Sequence, residues 1–150
     1  MRRFRFRLER VLRYRTAREQ IAYQAMQEVI QQRMQLQAQI AQLQAEIQAV
    51  ARAPVSPAEW GLRERILETL TTRLQRLNDT LPLLLEQEVH AREVYLHARR
   101  EREALSRLRQ RAYEQYQQEL QRALQNAADE AVVYAYQRRL SEDSAAGAGD

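Results

Sequence analysis

From Leu8 to Val50 the apolar residues keep one stripe whose steps alternate between four and three. The stripe runs Leu8, Leu12, Ala22, Met26, Val29, Leu36, Ile40, Leu43, Ile47, Val50, with Arg15, Glu19 and Arg33 filling its polar gaps. No glycine or proline interrupts it before Pro54. A 3.5-residue period stays on one side of an α-helix only when helices wind around each other, so the pattern predicts a coiled-coil seam. Helix 1 is predicted over about residues 4–52.

The stretch Arg52-Ala-Pro-Val-Ser-Pro-Ala-Glu59 is the one strong break. Ser56 is placed as an N-cap, Pro57 as the first helical residue and Glu59 as the third position of a capping box. A turn at 53–56 is too short to carry the chain away, so helix 2 must return beside helix 1. Its own stripe is Leu67, Leu70, Leu74, Leu77, Leu81, Leu84, Ala91, Tyr95, Ala98, Leu105. Pro82 lies inside it, but the phase at Leu77, Leu81 and Leu84 passes through unbroken. That predicts a kink without a break. Helix 2 is predicted over 57–139, and residues 141–150 as a patternless flexible tail.

The fold class expected is therefore all-α: one domain over 1–140, a long two-helix antiparallel coiled-coil hairpin with the second helix longer and overhanging. At 1.5 Å per residue the helices would span ~73 and ~125 Å. Residues from about 108 to 139 then lack a partner from helix 1. They still keep an apolar stripe: Leu108, Ala112, Tyr116, Leu120, Ala123, Ala127, Ala131, Tyr134. An amphipathic helix with nothing to bury against points to a partner elsewhere.

Composition narrows the function. The 24 basic residues are all arginine, and cysteine is absent. Thiolate nucleophiles, zinc–thiolate sites, Schiff bases and the phosphate-loop lysine are thereby excluded. With three glycines in 150 residues there is no glycine-rich loop and no regular supply of β-turns. Neither a nucleophile-elbow nor a zinc-protease motif occurs. No transmembrane run is present, and a location in the cytoplasm is expected. Residues 1–18 hold eight arginines against Glu9, a net +7, whereas the remaining residues sum to −3. Such an end points to something acidic (nucleic acid, a phospholipid surface or an acidic protein ring), the alternative being a solvated arm that keeps the chain soluble. His90 and His97, with Glu86, Glu93 and Glu101, could be read as a metal face. On a coiled coil such a ladder is more often a solvated surface. Tyr95, Tyr113, Tyr116, Tyr134 and Tyr136, interleaved with arginine, fit packing or protein contact better than base stacking. No enzyme, no cofactor and no metal is expected.

The opening Phe4-Arg-Phe-Arg-Leu-Glu-Arg-Val-Leu-Arg-Tyr-Arg15, followed by Glu19 and Ala22, resembles the start of the FliJ family of the bacterial flagellar export apparatus. The resemblance implies a long hairpin similar to the central stalk of rotary ATPases. Such a stalk sits in the pore of the hexameric flagellar export ATPase and promotes its activity. It further implies contact with the cytoplasmic domain of the export-gate membrane protein, a peripheral place at the inner face of the membrane, and association with export chaperones. Carried onto this chain, the ring-binding residues would be Arg2, Arg3, Arg5, Arg7, Arg10 and Arg13, with Tyr113 and Tyr116. Trp60, Ile66 and Leu70 would face the gate. Neither nucleic acid nor a small-molecule substrate is expected. The alternatives are a coiled-coil adaptor or export chaperone, or a nucleic-acid-associated spacer.

Overall fold

The computed structural model describes residues 2–149; Met1 and Asp150 lie outside the described residues. Two long helices, α1 (Glu9–Arg52) and α2 (Trp60–Gly147), are joined through a single 3₁₀ turn at Pro57–Glu59, with no strand among the described residues. They are organised into two compact units. One is residues 13–103; the other combines residues 2–12 with residues 104–149.

The 13–103 unit is an antiparallel helical hairpin. Its dry seam is the stripe read from the sequence: Ala22, Met26, Leu36, Ile40 and Leu43 of α1 are buried, as is Ala98 of α2. Leu67, Leu70, Leu74, Leu77, Leu81 and Leu84 are half-buried opposite them. Two helices cannot enclose a side chain on all sides, so no residue here is fully shut from solvent. What fixes the register is polar. Arg33 donates to Glu88, Arg15 to Glu101 and Arg102 to Glu19 across the seam. The Glu88 and Glu19 side chains are only 12% and 17% exposed, which makes these pairs costlier to break than surface ion pairs. The hydrogen bond from Arg102 to Glu19 raises the guanidinium above its ordinary value, desolvation opposing it. Tyr23 and Tyr95 add a tilted aromatic pair, centroids 5.5 Å apart.

At the turn the predicted capping box does not form. Ser56 occupies the N-cap with extended backbone and makes no side-chain cap bond. The 3₁₀ turn explains this, because the Glu59 N–H already donates to the Ser56 carbonyl at 2.9 Å. Arg63 reaches back to the Ala53 carbonyl at 3.3 Å and ties the turn down. Helix α2 runs through Pro82, with Leu77, Leu81 and Leu84 all turned to the seam.

Both outer ends differ from expectation. Residues 4–8 are predicted as helix, but α1 begins only at Glu9, whose N–H donates to the Phe6 carbonyl at 3.2 Å. Residues 141–147 are predicted as patternless, but α2 continues to Gly147. The helix-forming Ala145 and Ala146 have no breaker before that glycine.

Candidate functional site at the basic end

The segment that departs from helix builds the site. In Phe4-Arg5-Phe6-Arg7-Leu8 the apolar and basic residues alternate, and the structure follows that alternation. Phe4, Phe6 and Leu8 are half-buried, while Arg3, Arg5 and Arg7 are exposed. Period-two burial belongs to an extended chain, so residues 2–6 form a strap against α2 that turns at Arg7 and Leu8 into α1. Phe4 is its anchor. The ring meets Tyr113 edge-on at 5.2 Å and Tyr116 at 5.5 Å, with the Arg109 guanidinium 5.7 Å above it. The Tyr116 hydroxyl donates to the Arg2 carbonyl at 3.0 Å, and Arg109 pairs with Glu9 at 3.1 Å. An aromatic wedge, a stacked cation and a backbone hydrogen bond thus all act within one short stretch.

The clasp holds an excess of positive charge. Residues 2–12 and 104–119 carry eight arginines against three carboxylates (Glu9, Glu114 and Glu119), a net +5. Arg2, Arg3 and Arg5 line one wall of an open groove of about 790 Å³; Ala112, Gln115, Tyr116 and Glu119 line the other. Three guanidiniums over an aromatic floor make a site for an extended or multivalent anion.

Of the residues proposed for ring contact, Arg2, Arg3, Arg5, Arg7 and Arg10 lie in this unit and are exposed. Tyr113 and Tyr116 are in the site, but as its clasp: both rings are engaged with Phe4. Arg13 is exposed on α1 in the 13–103 unit. Sequence reasoning missed Phe4 and Arg109 as site residues. The alternation was the signal for the first; nothing in the sequence marked the second.

The residues proposed for the gate lie within about 120° of one another around the helix, Leu70 about 40° from Ile66. Six residues separate Trp60 from Ile66, which at 100° each sets them about 120° apart around the helix. Leu70 is half-buried in the hairpin seam. Trp60 and Ile66 are exposed, and Leu62, one turn before Ile66, is 62% exposed on nearly the same side. His97 bonds its Nε2 to Glu101 at 3.1 Å. Among the described residues no cluster of three His, Cys, Asp or Glu side chains is placed to hold a metal ion. Nor is any helix long and apolar enough to cross a membrane.

Fold and site together define a helical contact scaffold, with a narrow coiled-coil seam in one unit and an arginine-rich clasp in the other. The family model for the flagellar FliJ protein matches residues 4–141, and the chain belongs to that family. It is accordingly a component of the flagellar protein export apparatus. No curated protein and no solved structure matches it.

Proposed function

We propose that the chain is a non-enzymatic stalk that enters the hexameric flagellar export ATPase by its basic end, promotes hydrolysis and links the ATPase to the export gate. One observation carries this reading: an arginine array held at a net +5 by an aromatic clasp, with far fewer carboxylates than it needs. A ring pore lined with acidic loops would supply them. A stalk that passes from subunit to subunit has to be held without being locked at one angle. Long-range attraction from Arg2, Arg3, Arg5, Arg7, Arg10 and Arg13 does this, where an apolar socket would not. Tyr113 and Tyr116 serve by positioning the strap. In this reading the turn end, with exposed Trp60, Leu62 and Ile66 and the half-buried Leu70, is directed to the cytoplasmic domain of the gate. Export chaperones are further candidates for contact, and the protein works peripherally at the inner face of the membrane.

The test is hydrolysis by the purified export ATPase at ~0.15 M salt, near the physiological screening length. Changing Arg3, Arg5, Arg7, Arg10 and Arg13 together to Gln should abolish stimulation while circular dichroism shows the helices intact. Full stimulation by that variant would remove the basic end from the mechanism.

A further inference from the structure

The groove at the basic end makes two demands on an occupant. The first is charge. Arg2, Arg3 and Arg5 line one wall and are all exposed, while Glu119, on the other wall, is the one carboxylate among the described lining residues. The second is backbone. The Arg2 carbonyl accepts from the Tyr116 hydroxyl, and the Phe6 carbonyl accepts from the Glu9 N–H. Between those two points the N–H and C=O groups of Arg3, Phe4 and Arg5 make no hydrogen bond within the described residues.

An extended segment with unpaired backbone groups is a template for a second extended segment. The alternation along the strap then sets what that segment must carry. Side chains two apart share a face at about 6.6 Å, taking 3.3 Å per residue, so Arg3 and Arg5 present guanidiniums at that interval. A chain added alongside presents its own alternate side chains at the same interval. Carboxylates at i and i+2 would meet Arg3 and Arg5 together, whereas carboxylates at i and i+1 would point to opposite faces. Arg2 adds a third charge at the end of the wall.

The opposite wall limits the occupant further. From Ala112 to Glu119 it extends about 10.5 Å at 1.5 Å per residue, which about three residues of extended chain traverse. Glu119 repels an acidic side chain turned towards α2, so the carboxylates of the occupant are confined to the strap side. A helix would leave the strap backbone unpaired, because its own N–H and C=O groups are bonded internally. A phosphate polymer offers acceptors to the guanidiniums but no donor along its backbone to the strap carbonyls.

We propose that this groove captures an extended acidic segment of a partner protein, with carboxylates at alternate positions, by adding it as a strand to the strap. The inference rests on the proposed ring contact for the source of that segment, and it makes the acidic element an extended chain with a defined spacing.

The experiment uses the full chain without the ATPase. The probe is a labelled synthetic peptide with glutamate at alternate positions separated by threonine, followed by fluorescence anisotropy at ~0.05 M salt. A peptide of the same composition with its glutamates in one block is the charge control. The alternating peptide should bind about tenfold tighter than the block peptide, and N-methylation of its amides should remove that advantage. Arg3→Gln with Arg5→Gln should weaken its binding about tenfold. Arg138→Gln with Arg139→Gln, the same loss of charge outside the groove, should change it by less than about threefold. Phe4→Ala keeps every arginine but frees the strap, and should abolish the preference for alternation. Glu119→Gln should tighten binding, and circular dichroism checks the helices of each variant. Equal affinity for the two peptides, indifference to N-methylation, or equal loss from the two arginine pairs would each overturn the proposal. So would tighter binding of inorganic polyphosphate than of the alternating peptide, which would make the groove a phosphate site. No preference for alternation, with stimulation still lost in the five-arginine variant, would overturn the added strand and leave the ring contact; the converse pair of results would do the reverse.

Discussion

Phe4 does at the scale of one residue what the arginines around it cannot do for themselves. They repel one another, and the strap stays against α2 because this ring is wedged between Tyr113 and Tyr116 under Arg109. Removing it should free the strap without touching the helices. Aromatic contacts contribute roughly 0.5–1.5 kcal/mol each beyond burial, so Phe4→Ala should raise the detached population by about tenfold. Tryptic cleavage after Arg3, Arg5 and Arg7 measures this, and an unchanged rate would deny the clasp its role. The strap was legible in principle, since Phe4-Arg-Phe-Arg-Leu8 alternates with period two. The heptad stripe beginning at Leu8 hid it, because a helix extended backwards by four residues violates no local rule. Glu88 is the second instructive residue. It accepts from Arg33 across the seam and from Arg92 on its own helix, and its side chain is 12% exposed. Glu88→Ala should destabilise the hairpin by about 1–2 kcal/mol, and exposed Glu86→Ala by under ~0.5 kcal/mol, in thermal melts. That Arg33 finds Glu88 could not be read beforehand, because the sequence gives each helix its stripe but not the offset between them.

The elements themselves were far more legible than their ends. A stripe of 3.5-residue period specifies which face is buried, and Ala22, Met26, Leu36, Ile40 and Leu43 are buried in the structure as the stripe requires. Leu43, the most buried at 5% exposed, should lose about 2–4 kcal/mol on replacement by Ala. Half-buried Leu74 should lose less, and exposed Gln44 under ~0.5 kcal/mol. Equal shifts at 43 and 44 in thermal melts would mean the seam is misassigned. Pro82 offers the opposite sign. It is exposed within α2, and having no N–H it leaves the Asn78 carbonyl without its helical donor. An interior proline costs about 3 kcal/mol relative to alanine, so Pro82→Ala should stabilise the hairpin and raise its melting temperature. A lower melting temperature would show that the proline itself is needed for packing. Ends are harder because competing partners decide them. The Ser56 side-chain cap lost to a backbone 3₁₀ bond, and α2 ran on past residue 139 because nothing before Gly147 stops it.

For the whole molecule, charge should act as a sum rather than as a set of essential contacts. A single exposed ion pair contributes roughly 0–1 kcal/mol, so each of Arg3, Arg5, Arg7, Arg10 and Arg13 changed alone should cost little stimulation. If the proposed function holds, stimulation of the export ATPase by the unaltered chain should fall steadily between ~0.05 and ~0.5 M salt as the screening length shortens. A response flat in salt would mean that apolar contact, not the arginine array, holds the partner. Finally, the distribution of aromatic rings has an optical consequence. The one tryptophan, Trp60, is exposed at the turn, while the basic end is closed by tyrosine and phenylalanine alone. Light absorbed selectively by indole therefore excites only the turn of the 13–103 unit, and its emission colour registers whatever docks there. The near-ultraviolet dichroism of coupled tyrosines includes a contribution from the clasp, which Phe4→Ala should remove. The chain thus carries separate native reporters for its two units, so engagement of either can be followed in solution without attaching a label.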